Sequence, residues 1–279
     1  MKIALFNENK LGIVVEDRIY QIESEEYWDA SKPQDSLVQF MENFEDFKKN
    51  IEGLLKNSPS FLVDEVKLEA PIPKPGKIIA APVNYYLHQD EMNEQFNNAE
   101  YTIDQLGFFL KAPSSIIGPG ETIKLPFKDR RTDHEAELAF IVGKKAKDVP
   151  ASEAHNYIFG YFALMDITVR GKEDRPWRKS FDTFTPIGPW IVTADEIGNP
   201  NELEFKLWVN EEVRHSANTS QLIYDCYKFF EAASAVMTLE PGDILTTGTP
   251  EGVGPIVKGD QVRIAIDKIG EFSVDVDYK

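Results

Sequence analysis

The stretch His134-Glu135-Ala136-Glu137-Leu138-Ala139-Phe140-Ile141-Val142-Gly143 decides the fold class. Its apolar residues are few, β-branched or aromatic in part, and stop at a glycine, which predicts a strand. Side chains two apart along a strand share a face. Glu135, Glu137, Ala139 and Ile141 therefore point one way, and Ala136, Leu138, Phe140 and Val142 the other. A strand apolar on both faces is covered on both sides. The two carboxylates that enter it are expected to be half-buried.

Neighbouring buried carboxylates repel, so one protonates unless a cation sits between them. A third acid, Asp166, ends the apolar run Tyr157-Ile158-Phe159-Gly160-Tyr161-Phe162-Ala163-Leu164-Met165. Oxygen-only ligands suit Mg²⁺, Mn²⁺ or Ca²⁺ rather than Zn²⁺. A pair of glutamates bonded to surface Lys or Arg has the same spacing, so periodicity alone leaves both readings open.

Other apolar runs after residue 77 are equally short and are bounded by Gly, Pro or Asp. They include Lys77-Ile78-Ile79-Ala80, Trp190-Ile191-Val192, Asp243-Ile244-Leu245 and Gln261-Val262-Arg263-Ile264. The clearest helix is expected from about Thr219 to Met237. Nearer the start, Lys2–Phe6 and Leu11–Val15 alternate as strands around a turn at Asn7-Glu8-Asn9, and Asp17–Ile22 continues the pattern. Residues 35–56 switch to helical spacing, with Leu37, Phe40, Met41, Phe44, Phe47, Ile51, Leu54 and Leu55 on one stripe. The proline-rich Ala70-Pro71-Ile72-Pro73-Lys74-Pro75-Gly76-Lys77 interrupts regular structure. The expected organisation is α+β and mostly β: a small α+β N-terminal domain over residues 1–70, then a larger domain over 71–279.

The 279 residues are 42% hydrophobic and 28% charged, ordinary for a globular protein. The formal net charge of -17 repels nucleic-acid phosphates and anionic lipid headgroups, which argues against partners of either kind. An anionic small molecule is still admitted wherever a metal or a few cations reverse the local field. Cys226 is the single cysteine and reads as a buried structural thiol. No signal-peptide pattern opens the chain and no run approaches the ~20 apolar residues of a membrane span, so a cytoplasmic location is expected.

Three further features carry candidate chemistry. His88 and Glu91 fall three apart in Asn84-Tyr85-Tyr86-Leu87-His88-Gln89-Asp90-Glu91, so a helical turn would set them side by side. A carboxylate beside a histidine fixes its tautomer and raises its basicity, as water activation requires, although a solvated helix face has the same spacing. Thr246-Thr247-Gly248-Thr249-Pro250-Glu251-Gly252-Val253-Gly254-Pro255 either converges N–H groups on an anion or makes a tight turn between strands. Lys111 and Lys179 each follow apolar or aromatic segments, where a cation either meets a carboxylate substrate or an oxyanion, or simply lies at the surface.

Taken in order along about residues 77–276, these segments resemble the fumarylacetoacetate hydrolase family. The resemblance is carried by Asn84-Tyr85…His88…Glu91, by Phe109-Leu110-Lys111…Pro113-Ser114-Ser115, and by His134-Glu135-Ala136-Glu137-Leu138-Ala139. It continues through Gly160-Tyr161…Asp166-Ile167-Thr168-Val169-Arg170, Lys179-Ser180-Phe181-Asp182, Pro186-Ile187-Gly188-Pro189-Trp190 and Val209-Asn210…Arg214…Asn218-Thr219-Ser220. It ends on Leu239-Glu240-Pro241-Gly242-Asp243-Ile244 and Thr247-Gly248-Thr249-Pro250-Glu251-Gly252-Val253-Gly254.

The resemblance implies a mixed β-roll or barrel-like catalytic domain, as a homodimer, with Glu135, Glu137 and Asp166 holding Mg²⁺ or Mn²⁺. It implies His88–Glu91 as a water-activating pair, Lys179 and Arg170 as substrate or oxyanion partners, and Gly248 and Thr249 as carboxylate binders; of these Lys179 is expected to be catalytic, and Lys111, read from its own setting, is expected to join the substrate binders. It also implies a small keto-acid substrate, with metal-dependent hydrolysis of a C–C bond in an acylpyruvate-type β-diketo acid. Isomerisation of a 2-hydroxy-diene-dioate or decarboxylation of a 2-keto acid is the alternative. The family often has Asn before the metal Asp and Asp after the following Arg; here these positions are Met165 and Gly171.

Overall fold

The computed structural model of the protein describes residues 1–96 and 101–279. The strand expected from the opening motif runs Ala136–Val142, and every residue in it is buried. It pairs antiparallel with Ile158–Met165 on one side and with Ile244–Thr246 on the other. These strands are central in a large open sheet. Its order is Ser60–Leu62, Arg18–Gln21, Lys10–Val15, Lys2–Phe6, Thr185–Thr193, Ile158–Met165, Ala136–Val142, Ile244–Thr246, Ile78–Ala80 and Phe109–Lys111. Two short strands, Leu68–Glu69 and Ile116–Ile117, attach beside this path.

The two apolar faces of Ala136–Val142 serve two cores. Ala136, Leu138, Phe140 and Val142 pack in one with Phe229 and Phe230. Ala139 and Ile141 pack in the other with Phe40, Phe44 and Phe47. This explains why the strand alternates in direction yet not in polarity.

The chain leaves the large sheet at Glu135. Just before it, Thr132–His134 joins a three-stranded sheet with Thr168–Val169 and Gly254–Pro255. A third sheet of five strands contains Glu204–Val209, Glu212–Asn218, Gln261–Ile266, Gly270–Tyr278 and Thr122–Leu125. Glu135 thus marks the point where one segment passes between sheets, rather than lying inside one long strand.

Two helices differ from expectation. The stripe over residues 35–56 is carried by Pro33–Glu42 and Phe44–Asn57, divided at Asn43. Asn43 leaves helical geometry and donates from its side chain to Gln39 O at 2.9 Å. The helix expected from Thr219 begins only at Cys226 and runs to Val236. Thr219–Gln221 is instead a single 3₁₀ turn closed by Asn218 and Gln221, and Asp225 starts the true helix by accepting the Tyr227 and Lys228 N–H groups.

Strand Lys2–Phe6 pairs directly with Thr185–Thr193, so the sheet is continuous across residue 70. Among the described residues, no helix is long and apolar enough to cross a membrane.

Candidate active site

Register builds the acid cluster. Ala136 lies opposite Met165 and Glu137 opposite Leu164, which leaves Asp166 just past the strand end beside Glu135. The Asp166 N–H donates to the Glu135 carbonyl at 2.8 Å. One carboxylate oxygen from each of Glu135, Glu137 and Asp166 lies within 4.8 Å of the others. Their exposures are 5%, 1% and 1%.

Cations and hydroxyls hold the three acids apart. Lys179 Nζ spends its three donors on Glu135, Asp166 and Thr168 Oγ1, each at 2.6 Å. Lys111 donates to Asp166 and, at 3.0 Å, to Phe184 O. Arg170 donates to Asp133 and, at 3.2 Å, to Glu135. Burial disfavours ionised Glu135, but Lys179 and Arg170 outweigh it and hold this carboxyl well below the usual range. Burial pulls the Lys111 ammonium down despite the neighbouring Asp166.

Among the described residues, no cation forms an ion pair with Glu137. It accepts from the Thr246 hydroxyl and from Gly248 N–H at 2.8 Å. Burial, with the charge of Asp166 adding to it, pushes its carboxyl up to about 8. A divalent cation among three all-oxygen donors would remove this penalty, so the residues fit a hard metal ion. A second sign points the same way. Thr249 Oγ1 is buried in the wall of the adjoining cleft and has no hydrogen-bond partner among the described residues.

That cleft is lined by His88, Glu135, Glu137, Arg170, Lys179 and Thr249, among others. His88 Nδ1 lies 3.2 Å from Glu91 Oε2, and Glu91 Oε1 accepts from Gly252 N–H at 3.1 Å. Burial works against the Glu91 charge, but these two partners hold its carboxyl below the ordinary value. With Nδ1 engaged, Nε2 is the histidine nitrogen available to the cleft.

The structure therefore brings His88, Glu91, Glu135, Glu137, Asp166, Lys179, Arg170 and Thr249 together. Lys111 lies beneath Asp166 instead of in the cleft wall, and Gly248 turns its N–H onto Glu137. Their donors serve the acids, so both act one step behind the cleft.

Several contributing residues were given no role by their local sequence. Asp133, Thr168 and Thr246 order the acids through partners far away in the chain. Buried Asn84 bonds Tyr224 N and O, at 2.7 and 2.9 Å, and Thr247 O at 2.8 Å. It ties the start of the Tyr86–Phe96 helix to the loop carrying Thr249. Arg175 ends the polar run Gly171-Lys172-Glu173-Asp174-Arg175, which reads as solvent-facing, and Arg178 follows it by three residues, yet both line the cleft.

Residues 77–277 match the model for the fumarylacetoacetate (FAA) hydrolase C-terminal domain. The chain belongs to the fumarylacetoacetate hydrolase family. The motif resemblance is borne out, and so is the mixed, mostly β architecture, with sheets that remain open rather than closed into a barrel. Within this family the chain is 43% identical to a maleylpyruvate hydrolase of Aquipseudomonas alcaligenes, over 99% of each protein. A maleylpyruvate hydrolase from Sphingobium sp. SYK-6, in complex with manganese(II) and pyruvate, superposes with a TM-score of 0.89 at 42% identity. That match covers 100% of this chain and 99% of the other. A 5-carboxymethyl-2-hydroxymuconate delta-isomerase from Mycobacterium smegmatis superposes with a TM-score of 0.76 at 32% identity, covering 100% of both.

Proposed function

We propose that the protein is a divalent-metal-dependent hydrolase of acylpyruvate-type β-diketo acids, of the kind met in aromatic catabolism. The observation that carries this is the buried Glu135–Glu137–Asp166 cluster sharing one cleft with the His88–Glu91 pair. A hydrolase needs a positioned base as well as a charge sink, and both are present. The relatives that are maleylpyruvate hydrolases, one of them with manganese and pyruvate bound, support the same reading.

Glu135, Glu137 and Asp166 would hold Mg²⁺ or Mn²⁺. The bound ion supplies Lewis-acid stabilisation of negative charge on the keto-acid half. His88 Nε2 takes a proton from water while Glu91 fixes Nδ1. The water oxygen bonds to the distal carbonyl carbon and the C–C bond to the pyruvate half breaks. The bond electrons pass to that half, which is then protonated to the α-keto acid, and a second carboxylic acid is released. Thr249 Oγ1 is free to bond a substrate oxygen. Lys179 and Arg170 keep Glu135 ionised and lie where charge develops. Lys111 and Gly248 contribute by fixing Asp166 and Glu137.

The test is turnover of acylpyruvates, maleylpyruvate first, with Mg²⁺ or Mn²⁺ by wild type and His88→Ala. Activity abolished by His88→Ala is expected. A wild type inactive on all acylpyruvates that still decarboxylates oxaloacetate would sink the hydrolase reading. The similarity to the Mycobacterium smegmatis isomerase favours a second reading, isomerisation through the same charge sink, which predicts little dependence on His88. The proposal extends to a cytoplasmic homodimer in which residues 1–70 form the accessory unit. Light scattering on the purified protein checks the dimer.

A further inference from the structure

The segment from Arg170 to Lys179 carries, at its two ends, the two cations that hold Glu135. Arg170 donates to one Glu135 oxygen at 3.2 Å and Lys179 to the other at 2.6 Å. Between them the chain has little regular structure of its own. The pairing of Thr168–Val169 with Thr132–His134 stops after the Arg170 N–H donates to Arg131 O at 2.8 Å. The helix that carries Lys179 has only five residues, Arg175–Lys179. Gly171-Lys172-Glu173-Asp174 lies between, opening on a glycine, so side chains have to offset the entropy of ordering it.

Arg130 supplies those bonds. It stands next to the last backbone bond of that ladder and continues the ladder with its side chain. Its Nη2 donates to Arg170 O at 3.0 Å, and the guanidinium fork meets the Glu173 carboxylate twice, at 3.0 and 2.8 Å. The Glu173 carbonyl in turn accepts from Arg178 Nε at 2.7 Å, which ties the loop to the helix. The guanidinium rests on the Phe127 and Trp177 rings, 5.0 and 5.3 Å away, and Trp177 belongs to the same helix. Gly171 leaves room for this pair: a Cβ there would fall 2.1 Å from Arg130 Nη2 and 2.3 Å from Glu173 Oε2. Arg130 is outside the cleft lining, and among the described residues its hydrogen bonds reach none of the three acids.

We infer that Arg130 is a positioning residue for the acid cluster. It closes the 170–179 segment on itself, so that Arg170 and Lys179 engage both oxygens of Glu135 at once. This deepens the reading above and rests on Glu135 as a metal ligand. Partners that hydrogen-bond a ligating carboxylate set its orientation, and Arg130 acts through two of them.

The test uses the full-length protein as wild type, Arg130→Gln, Arg130→Lys, Gly171→Ala and the Arg130→Gln/Gly171→Ala double variant. Three readouts are compared: trypsin cleavage after Lys172 in metal-free protein, Mn²⁺ affinity without substrate, and kcat on an acylpyruvate with saturating Mn²⁺. Arg130→Gln should speed the cleavage about three- to tenfold, because the loop opens more often. It should weaken Mn²⁺ by about three- to tenfold, less than the loss of a direct partner of a ligand, and lower kcat by a similar factor. Arg130→Lys keeps a charge for Glu173 but lacks the fork that also reaches Arg170 O, so it should recover part of each loss. Gly171→Ala should push the pair aside and reproduce the changes in cleavage and Mn²⁺ affinity. The double variant should be no worse than Arg130→Gln in either, since both substitutions break one clamp. Glu173→Gln breaks the ion pair with least change of shape, and it decides the matter if Arg130→Gln does not fold. The inference is overturned if the folded variants lose thermal stability while Mn²⁺ affinity and kcat stay at wild-type values, for Arg130 would then only brace the fold. It is also overturned if cleavage after Lys172 is unchanged, or if the Arg130 and Gly171 effects simply add. If no acylpyruvate is turned over, the hydrolase reading fails, while Mn²⁺ affinity and cleavage still decide the role of Arg130.

Discussion

His134 Nδ1 lies 3.1 Å from His215 Nε2, with both rings fully buried behind the cleft. The second nitrogen of His215, Nδ1, lies 2.7 Å from the Glu251 carbonyl oxygen, which can only accept. His215 is therefore protonated on Nδ1, and His134 donates to its Nε2. Burial pulls both rings down, to about 4 at His215 and about 2 at His134, so the pair is neutral at neutral pH. The pair anchors a turn at Gly252, whose φ is +98° and where a Cβ would fall 2.0 Å from Arg214 O. The Gly252 N–H is the group that holds Glu91.

From this chain of contacts, His215→Ala should lower kcat through the base, not through the metal. Loss of the Glu251 anchor lets Gly252 and Glu91 shift, and His88 with them. The expected fall in kcat is roughly ten- to a hundredfold, the usual effect of a small misplacement. Oxalate affinity of the Mn²⁺-loaded variant should stay near wild type, and His215→Asn, which can donate to Glu251 O, should recover part of the rate. Steady-state kinetics beside calorimetry separate the two effects. An unchanged kcat in the folded alanine variant would show that the turn holds without the histidine.

Glu137→Gln should divide metal binding from stability. Folding raises this carboxyl to about 8 from an ordinary 4.5. For a raised acid, the folded state binds more protons than the unfolded one. Metal-free wild type should therefore lose stability as pH climbs from 4.5 through about 8. Glutamine lacks that charge and should flatten the slope. Adding Mn²⁺ at 100 times its Kd should stabilise wild type by about 2.7 kcal/mol, while the variant should gain much less. Melts across pH, with and without EDTA, check both halves. A Glu137→Gln protein stabilised by Mn²⁺ as much as wild type would remove Glu137 from the ligand set.

The site was legible in unequal parts. Alternation alone placed Glu135 and Glu137 on one face; the structure puts Glu137 inside the doubly buried strand Ala136–Val142 and Glu135 at the junction just before it. Alternation could not supply Asp166, because the register that brings it to Glu135 depends on pairing between segments some thirty residues apart; the family resemblance did. Asp133 was silent for the same reason, and the motifs that contain Thr168, Thr246 and Asn84 gave these residues no role, since their partners are distant in the chain. Arg175 was hidden by its own neighbours, because a run of charges reads as solvated whichever of them turns inward. The helix expected from Thr219 overran because an apolar sequence continues through Leu222, Ile223 and Tyr224, where Asn84 captures the backbone before Asp225 caps the real start.

Cys226 should be inert in the folded protein. It is fully buried at the start of its helix, and burial drives the thiol well above its usual range. Alkylation by iodoacetamide at neutral pH should be negligible until denaturant is added, then complete. Mass spectrometry after timed exposure reads this directly, and rapid labelling under native conditions would indicate that the Cys226–Val236 helix opens.

Residues 1–70 should prove necessary for the stability of the remainder, because their burial is shared with it. Strand Lys2–Phe6 completes the sheet beside Thr185–Thr193, and Phe44 meets Phe159 edge-on at 5.0 Å. Phe47, fully buried, touches the Phe40, Phe44 and Tyr27 rings, at 4.8, 6.3 and 5.1 Å. Phe47→Ala should cost about 3–5 kcal/mol, as large core truncations do, while leaving kcat of the folded fraction unchanged at low temperature. A surface contact offers a gentler probe. Lys48 pairs with Asp195 at 2.7 Å, and although burial opposes it, the hydrogen bonds from Lys48 and Thr193 hold the Asp195 carboxyl down to about 2. For a depressed acid, the stabilisation is present above its ordinary value of 3.8 and is lost as pH falls through about 2. Asp195→Asn should therefore cost less than about 1 kcal/mol at pH 7, since the pair is largely exposed, and less still at pH 2, where the carboxyl is already partly protonated. Denaturant melts at both pH values measure it. A chain beginning at residue 71 that folds with the wild-type melting temperature would show that the shared sheet contributes nothing to the larger unit.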